Sequence, residues 1–333
     1  MKAIPLVRIG ILLPAVAFLE AIGARADRFL LDAGIPPAAL KQREALIPLH
    51  QTGRFLESAA RAEGIEDLGI LVGQHLSIES LGNYGEVLRG SLTLRELLHT
   101  AVALHPLYAS GGRVWLAHES DRVWLRHAHD RRFEDGRAIS EQMTLMLLLQ
   151  ILRGVLGPAW RPLETQLPAS RAPSAVEIDA LAGVPIKIGA ASTGIAIERS
   201  LLTRPLPPRW RTRAPLDPVK RELARSAPAD DFARSVQQTI GTLLLDGYPR
   251  IEHTAQAVGL SVRTLQRRLS ESRASYSRLV EQERFAHAVV LLEDPTVRIT
   301  EIALELGYSD VANFSHAFRR WTGAAPRQFR RPG

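Results

Sequence analysis

A chain of 333 residues with 46% hydrophobic content exceeds the usual size of one domain, and its 6% aromatic and 23% charged residues point to a mostly helical protein with a modest sheet. The absence of cysteine excludes disulfides, thiolate metal sites, cysteine nucleophiles and thiol redox switches. The formal charge of +7 is unevenly spread: residues 1–198 hold 20 basic and 21 acidic side chains, 199–216 five and none, and 217–333 17 and 14, so a polyanionic partner is expected for the C-terminal part alone.

The N-terminus carries Lys2, an apolar run from Ile9 to Leu19 and the triplet Ala24-Arg25-Ala26, an order that imitates an export signal. Arg8 abuts the run, Pro14 interrupts it, and the stretch continues through Phe29, Leu30 and Leu31 to Gly34-Ile35-Pro36-Pro37. An amphipathic helix is therefore expected here. No continuous apolar run reaches the roughly 18 to 20 residues that cross a bilayer, so a cytoplasmic protein without a membrane partner is expected.

Helical periodicity persists to about residue 110, in segments such as FLESAARAEG and TLRELLHTAVALH. After Ser110-Gly111-Gly112 the stretches RVWLAHES and DRVWLRHAH, rich in β-branched and aromatic residues, predict an antiparallel hairpin. A strongly apolar helix is expected from about Ser140 to Leu156, then strands around 163–169 and 184–197, which completes an α+β domain over 1–206. Residues 203–218, TRPLPPRWRTRAPLDP, hold five prolines and four arginines with little periodicity, and 207–229 reads as a linker.

Residues 230–333 read as an all-α domain, with helices expected near 230–246, 251–258, 262–272, 276–293, 299–306 and 310–322. Shifting the chain by 48 residues superposes Ile251 on Ile299, Ala255 on Ala303, Gly259 on Gly307 and Ser261 on Ser309. Alanine permits close helix approach, glycine a turn with positive φ, and serine a cap for the next helix, the ingredients of a helix-turn-helix present twice. The 18 residues from Tyr276 to Glu293 would span about 27 Å, which places two recognition helices near the roughly 34 Å repeat of the duplex.

In the first unit Val262, Leu265 and Leu269 share one helix side, leaving Arg263, Gln266, Arg267 and Ser270 on another. Arginine can grip guanine and glutamine adenine in bidentate fashion, so this face is expected to read bases. Ser261 and Thr264 begin the same helix, and Arg268, Arg273 and Arg278 are expected at phosphates. In the second unit Phe314, Ala317, Phe318 and Trp321 form the inner stripe, opposite Ala312, Ser315, His316 and Arg319. His316 is expected as its main polar reader, with Ser309 at the start and Arg319 or Arg320 on the backbone; the competing expectation is that His316 packs against the spacer helix.

These residues resemble the C-terminal DNA-binding domain of the AraC/XylS family of bacterial transcription regulators, from about Phe232 to Arg331. The motifs are Ala255-x3-Gly259-Leu260-Ser261 with Leu265-Gln266-Arg267-Arg268-Leu269, then Ile302-Ala303-x3-Gly307-Tyr308-Ser309, Phe314, Phe318 and Thr322-Gly323-x2-Pro326-x2-Phe329-Arg330. The resemblance implies that both recognition helices enter adjacent major-groove segments and that the positions of Arg263, Gln266 and Arg267 contact bases. Residues 4–206 more loosely resemble the arabinose-binding-like regulatory domain of one subgroup, through LLDAGIPPAAL, the stretch from Leu81 to Leu97, and IKIGAASTGIAIERSLLTRPLP. That implies a small-molecule effector of unknown identity and a homodimer.

Other functions fit less well. The DNA-repair methyltransferases related to this family use cysteine, and no Gly-rich phosphate loop or nucleophile elbow is present, so no enzyme activity is expected. His118, His127 and His129 lie on the predicted hairpin, the last two on one strand face, but without a nearby carboxylate pattern no metal and no cofactor are expected. RNA readers display stacking aromatics, whereas the C-terminal aromatics sit at core spacings. The expected function is sequence-specific binding of double-stranded promoter DNA under effector control, with contact to RNA polymerase; the alternative is an effector-independent regulator governed by protein partners or abundance.

Overall fold

The structure, a computed structural model, describes residues 2–130, 133–169, 181 and 183–330, and its elements group into two units. Arg331, where the family resemblance ends, lies outside the described residues. One unit comprises Pro5–Ala33 and Gln42–Pro228; the other comprises the residues up to Ile4, Gly34–Lys41 and the chain from Ala229 onward.

The first unit begins with β1 (Leu6–Arg8), α1 (Leu13–Ala21) and α2 (Ala26–Asp32), followed by β2 (Leu46–Pro48), which pairs antiparallel with β1. The single helix expected across this stretch is thus two, with a turn at Gly23 between them. Arg8 is buried because its guanidinium has partners: Glu44 at 2.9 Å and the carbonyl of Leu107 at 3.0 Å. Four helices follow, α3 (Leu49–Glu63), α4 (Leu68–Gly73), α5 (Gly82–Leu88) and α6 (Leu94–Tyr108), the last opened by Thr93, whose side chain accepts from the amide of Glu96.

The expected hairpin is β3 (Gly112–His118) and β4 (Arg122–His129), in antiparallel register from Gly112 opposite His129 to His118 opposite Val123. Next come α7 (Arg137–Leu156), β5 (Glu164–Leu167), β6 (Ile186–Ile188) and β7 (Thr193–Glu198). These strands form one five-stranded sheet in the order β3-β4-β7-β5-β6, parallel only between β5 and β6. Ile195 and Ile197 on β7 and Leu145, Leu149 and Leu152 on α7 are buried where helix and sheet pack. By length and composition α7 is apolar enough to cross a membrane, which a search for unbroken apolar runs does not reveal; 67% of its apolar window is buried inside the fold, as in a core helix.

The stretch expected as linker contains a helix, α8 (Leu216–Arg225), whose Leu223 is fully buried and which packs on α5 and α6. Five prolines concealed it: Pro215 precedes the helix and Pro218 lies in its first turn, where a missing amide costs nothing.

The second unit continues through α9 (Phe232–Leu243), α10 (Ile251–Ala257), α11 (Val262–Glu271), α12 (Tyr276–Glu293), α13 (Ile299–Glu305), α14 (Val311–Thr322) and the short α15 (Pro326–Phe329). Each of the six helices expected from periodicity is present. Leu265 and Leu269 of α11 are buried in one half; Ala288, Leu292, Ile302, Ala303, Phe314 and Phe318 form the core of the other. Helix α12 serves both halves, packing on α9 at one end and α13 at the other.

Candidate nucleic-acid interface

The duplicated pattern folds twice into the same turn. Gly259 and Gly307 have φ of 68° and 72°, a conformation that other residues adopt only at a cost, and in each unit the residue after glycine bonds back to the buried alanine: Leu260 to Ala255 and Tyr308 to Ala303, at 2.8 and 2.9 Å. Ala255 and Ala303 are 2% and 0% exposed, so a larger side chain at either would push the paired helices apart.

The caps differ between the two copies. Ser261 caps α11 as expected, its hydroxyl accepting from the amide of Thr264 at 3.2 Å. In the second copy the cap is Asp310 rather than Ser309: its carboxylate accepts from the amide of Asn313 at 2.7 Å. A carboxylate next to the serine competes better for an amide at a helix N-terminus, because negative charge there is favoured. That same bond holds the Asp310 carboxyl below the usual range. Ser309 instead donates to Asp310 and accepts from the Asn313 side chain, each at 3.1 Å.

On α11 the exposed face carries Arg263, Gln266, Arg267 and Ser270, opposite the buried Leu265 and Leu269. Arg267 makes a 2.7 Å bond to Glu271 one turn on, with both side chains exposed. Such an i,i+4 pair adds only about 0.3–0.5 kcal/mol, and it holds the guanidinium extended along the helix without hiding it. Thr264 is half-buried, sharing a 2.8 Å bond with Ser261. Arg268 is half-buried too, its guanidinium 5.7 Å from the centre of the Phe232 ring on α9. Arg273 and Arg278 are exposed.

On α14 Ala312, His316, Arg319 and Arg320 are exposed and Ser315 is half-buried. The exposure of His316 leaves its imidazole accessible on this face. Arg320 is ion-paired with Glu281 of α12, and the Trp321 indole donates to the same carboxylate at 2.8 Å. Among the described residues no ion pair involves Arg319, which is exposed three positions after His316 on the same helix. Asn313, exposed and held by Asp310 and Ser309, joins this face; its signal in the sequence was its position three residues, one helical turn, before His316.

The other unit contains a cavity of about 150 Å³ with mostly apolar walls, among them Leu97, Met143 and Leu147, and with polar groups from Tyr84, His105 and Thr52. The sequence named no effector-pocket residues, because the lining is drawn from helices and strands far apart in the chain. Burial pushes the His105 imidazole down to about 3, with the neighbouring His127 adding to the effect.

Comparison with known proteins agrees with both units. Residues 23–206 match the model of the arabinose-binding domain of AraC transcription regulators, N-terminal, and residues 254–332 match a helix-turn-helix domain model. The HTH-type transcriptional regulator VirS of Mycobacterium tuberculosis is 24% identical over 332 residues, covering 95% of this chain and 93% of that protein. The HTH-type transcriptional regulator VqsM of Pseudomonas aeruginosa is 32% identical over 130 residues, 36% of this chain and 40% of that protein. Among solved structures, the transcriptional regulator CdpR from Pseudomonas aeruginosa aligns over 92% of this chain and 96% of its own at 20% identity, with a TM-score of 0.40.

Proposed function

The chain belongs to the AraC family of DNA-binding transcriptional regulators, and from that premise we propose that it reads promoter DNA mainly through α11 and answers to a small molecule bound in its N-terminal domain. The observation that carries the DNA-reading assignment is the exposed set Arg263, Gln266 and Arg267 on α11, backed by buried leucines that fix which way the helix faces. Two bidentate-capable arginines flanking a glutamine suit direct readout of successive base pairs in the major groove.

Helix α14 takes the adjacent major-groove segment with Ala312, Ser315 and His316, while Ser309, Arg319 and the caps position it on the backbone. Its surface is shorter and less charged, and one of its arginines, Arg320, is held by Glu281. It adds less discrimination than α11.

Effector binding is assigned to residues 1–206 and DNA binding to 230–333. The cavity supports the first assignment: its walls suit a molecule with an apolar body, and its few polar groups would orient one end of it. To control DNA binding, the effector must favour one conformational state over another, since equal affinity shifts nothing. A homodimer and contact with RNA polymerase complete the reading.

Chromatin immunoprecipitation with sequencing tests it. Enrichment at a few promoters, lost in a triple Arg263→Ala, Gln266→Ala, Arg267→Ala variant, supports α11 as the reader. Enrichment unchanged in that variant would sink it.

A further inference from the structure

Beyond DNA reading and effector control, the fold assembles a group of side chains that the sequence keeps apart. His127 and His129 lie two residues apart on β4 and so share a face of the sheet. The carboxylate missing from the hairpin comes from α7, on which Glu141 is 2% exposed. One potential ligand atom from each of the three lies within 4.8 Å of the others. His118, at the far end of β3, is exposed and outside the group.

From this geometry we propose that His127, His129 and Glu141 bind a first-row divalent transition-metal ion of the zinc class, with an open coordination position on the cavity side.

Two observations carry the proposal. Nδ1 of His127 and Nε2 of His129 are buried and have no hydrogen-bond partner, a state that folded proteins avoid unless something else engages the lone pair. His127 Nδ1 stands 3.8 Å from Glu141 Oε2, too far for a hydrogen bond yet close to the roughly 3.4 Å between ligand atoms around a tetrahedral ion with bonds near 2.0–2.1 Å. Convergence of all three atoms on one ion requires rotation of the imidazoles, whose ring centres are 4.5 Å apart at 81°.

Second, the carboxylate is already oriented. Thr193 on β7, the register partner of His127, donates its hydroxyl to Glu141 Oε2, the outer support that metal-binding carboxylates characteristically have. Arg137 lies 4.0 Å from the other oxygen, Oε1, so its positive charge competes with a cation from one side only.

The ligand types also select the ion. Imidazole ligands favour zinc, cobalt, nickel or iron over magnesium or calcium.

Both histidines also line the cavity. Three protein ligands leave a coordination position open, as in sites that admit an exogenous ligand rather than closed structural ones. That the open position receives a polar atom of the effector rests on the effector reading above; metal binding does not.

The test is titration of the full-length, chelator-treated chain with cobalt(II) chloride, followed by visible absorption and then by zinc competition. The expected result is one cobalt per chain, with the visible bands of a low-coordinate nitrogen and oxygen site, displaced by zinc. His127→Gln, His129→Gln and Glu141→Gln should each weaken cobalt binding at least about tenfold, and His118→Gln should leave it unchanged. Should Glu141→Gln not fold, as judged by circular dichroism, the two histidine variants carry the same comparison. Wild-type protein that retains no cobalt, or folded variants that bind it as tightly as wild type, would overturn the site. Promoter binding by a metal-free chain would leave the DNA-reading assignment standing, so the two ideas fail separately.

Discussion

The guanidinium of Arg284 lies 3.6 Å from the centre of the Tyr308 ring, and its Nε donates to the carbonyl of Leu306 at 2.8 Å. Tyr248, which precedes α10, flanks the same guanidinium at 5.1 Å, and its backbone meets the turn at Gly307. One arginine on the shared helix α12 thus touches the second turn and the entrance to the first unit together. The relative placement of the two helix-turn-helix units is therefore fixed by direct contact as well as by the length of α12.

Gly307 tests that contact. Its φ of 72° is costly for any side chain, and a Cβ there would lie 3.0 Å from the Tyr248 amide nitrogen. Gly323 has φ of 77° with nothing within 4 Å. Gly323→Ala should cost about 1–2 kcal/mol from backbone strain alone. Gly307→Ala should cost more and should also weaken DNA binding, because Tyr248 must move. Urea denaturation and fluorescence anisotropy of both variants check this, and equal effects would remove Tyr248 from the account.

The face of α11 separates reading from packing. Arg267→Ala should cost about 1–3 kcal/mol on a selected site and relax preference at one base pair, while barely changing stability. Equal loss on random DNA would mean that Arg267 touches phosphate only. Arg268→Ala should instead destabilise the fold by about 0.5–1 kcal/mol through loss of its contact with Phe232, leaving base preference intact.

Much of this interface was legible in the sequence because helical spacing alone assigns sides: Leu265 and Leu269 inward leaves Arg263, Gln266 and Arg267 outward, and the turn chemistry of alanine and glycine repeats at a fixed offset. Contacts between distant elements were not legible. Nothing near Arg320 signals Glu281, 39 residues earlier, nor does the hairpin announce Glu141 on the following helix. The cap at Asp310 was missed for a local reason, since serine and aspartate stand side by side and only geometry decides between them. Helix α8 was hidden by prolines that are tolerated in a first turn.

The buried histidines predict how the N-terminal domain responds to acid. His105 and His129 titrate near 6.5 when unfolded but are pushed down to about 3 in the fold. Between those values the unfolded chain binds more protons, so stability is full above about pH 6.5 and is lost progressively as pH falls toward 3. Glu141, held below its ordinary value, adds loss in the same direction. Thermal melts followed by circular dichroism should show a plateau above pH 6.5 and a decline below it, shallower in His105→Leu. A melting temperature that is flat from pH 7 to 4 would contradict this.

Selection of binding sites from a random DNA library by the full-length chain, at physiological ionic strength, tests the central claim most directly. The account predicts two short conserved blocks about one helical turn, roughly 10 base pairs, apart, with the block read by α11 the more strongly conserved and altered in Arg267→Ala. Enrichment of no sequence, or of a single block that the α11 substitutions leave unchanged, would contradict it.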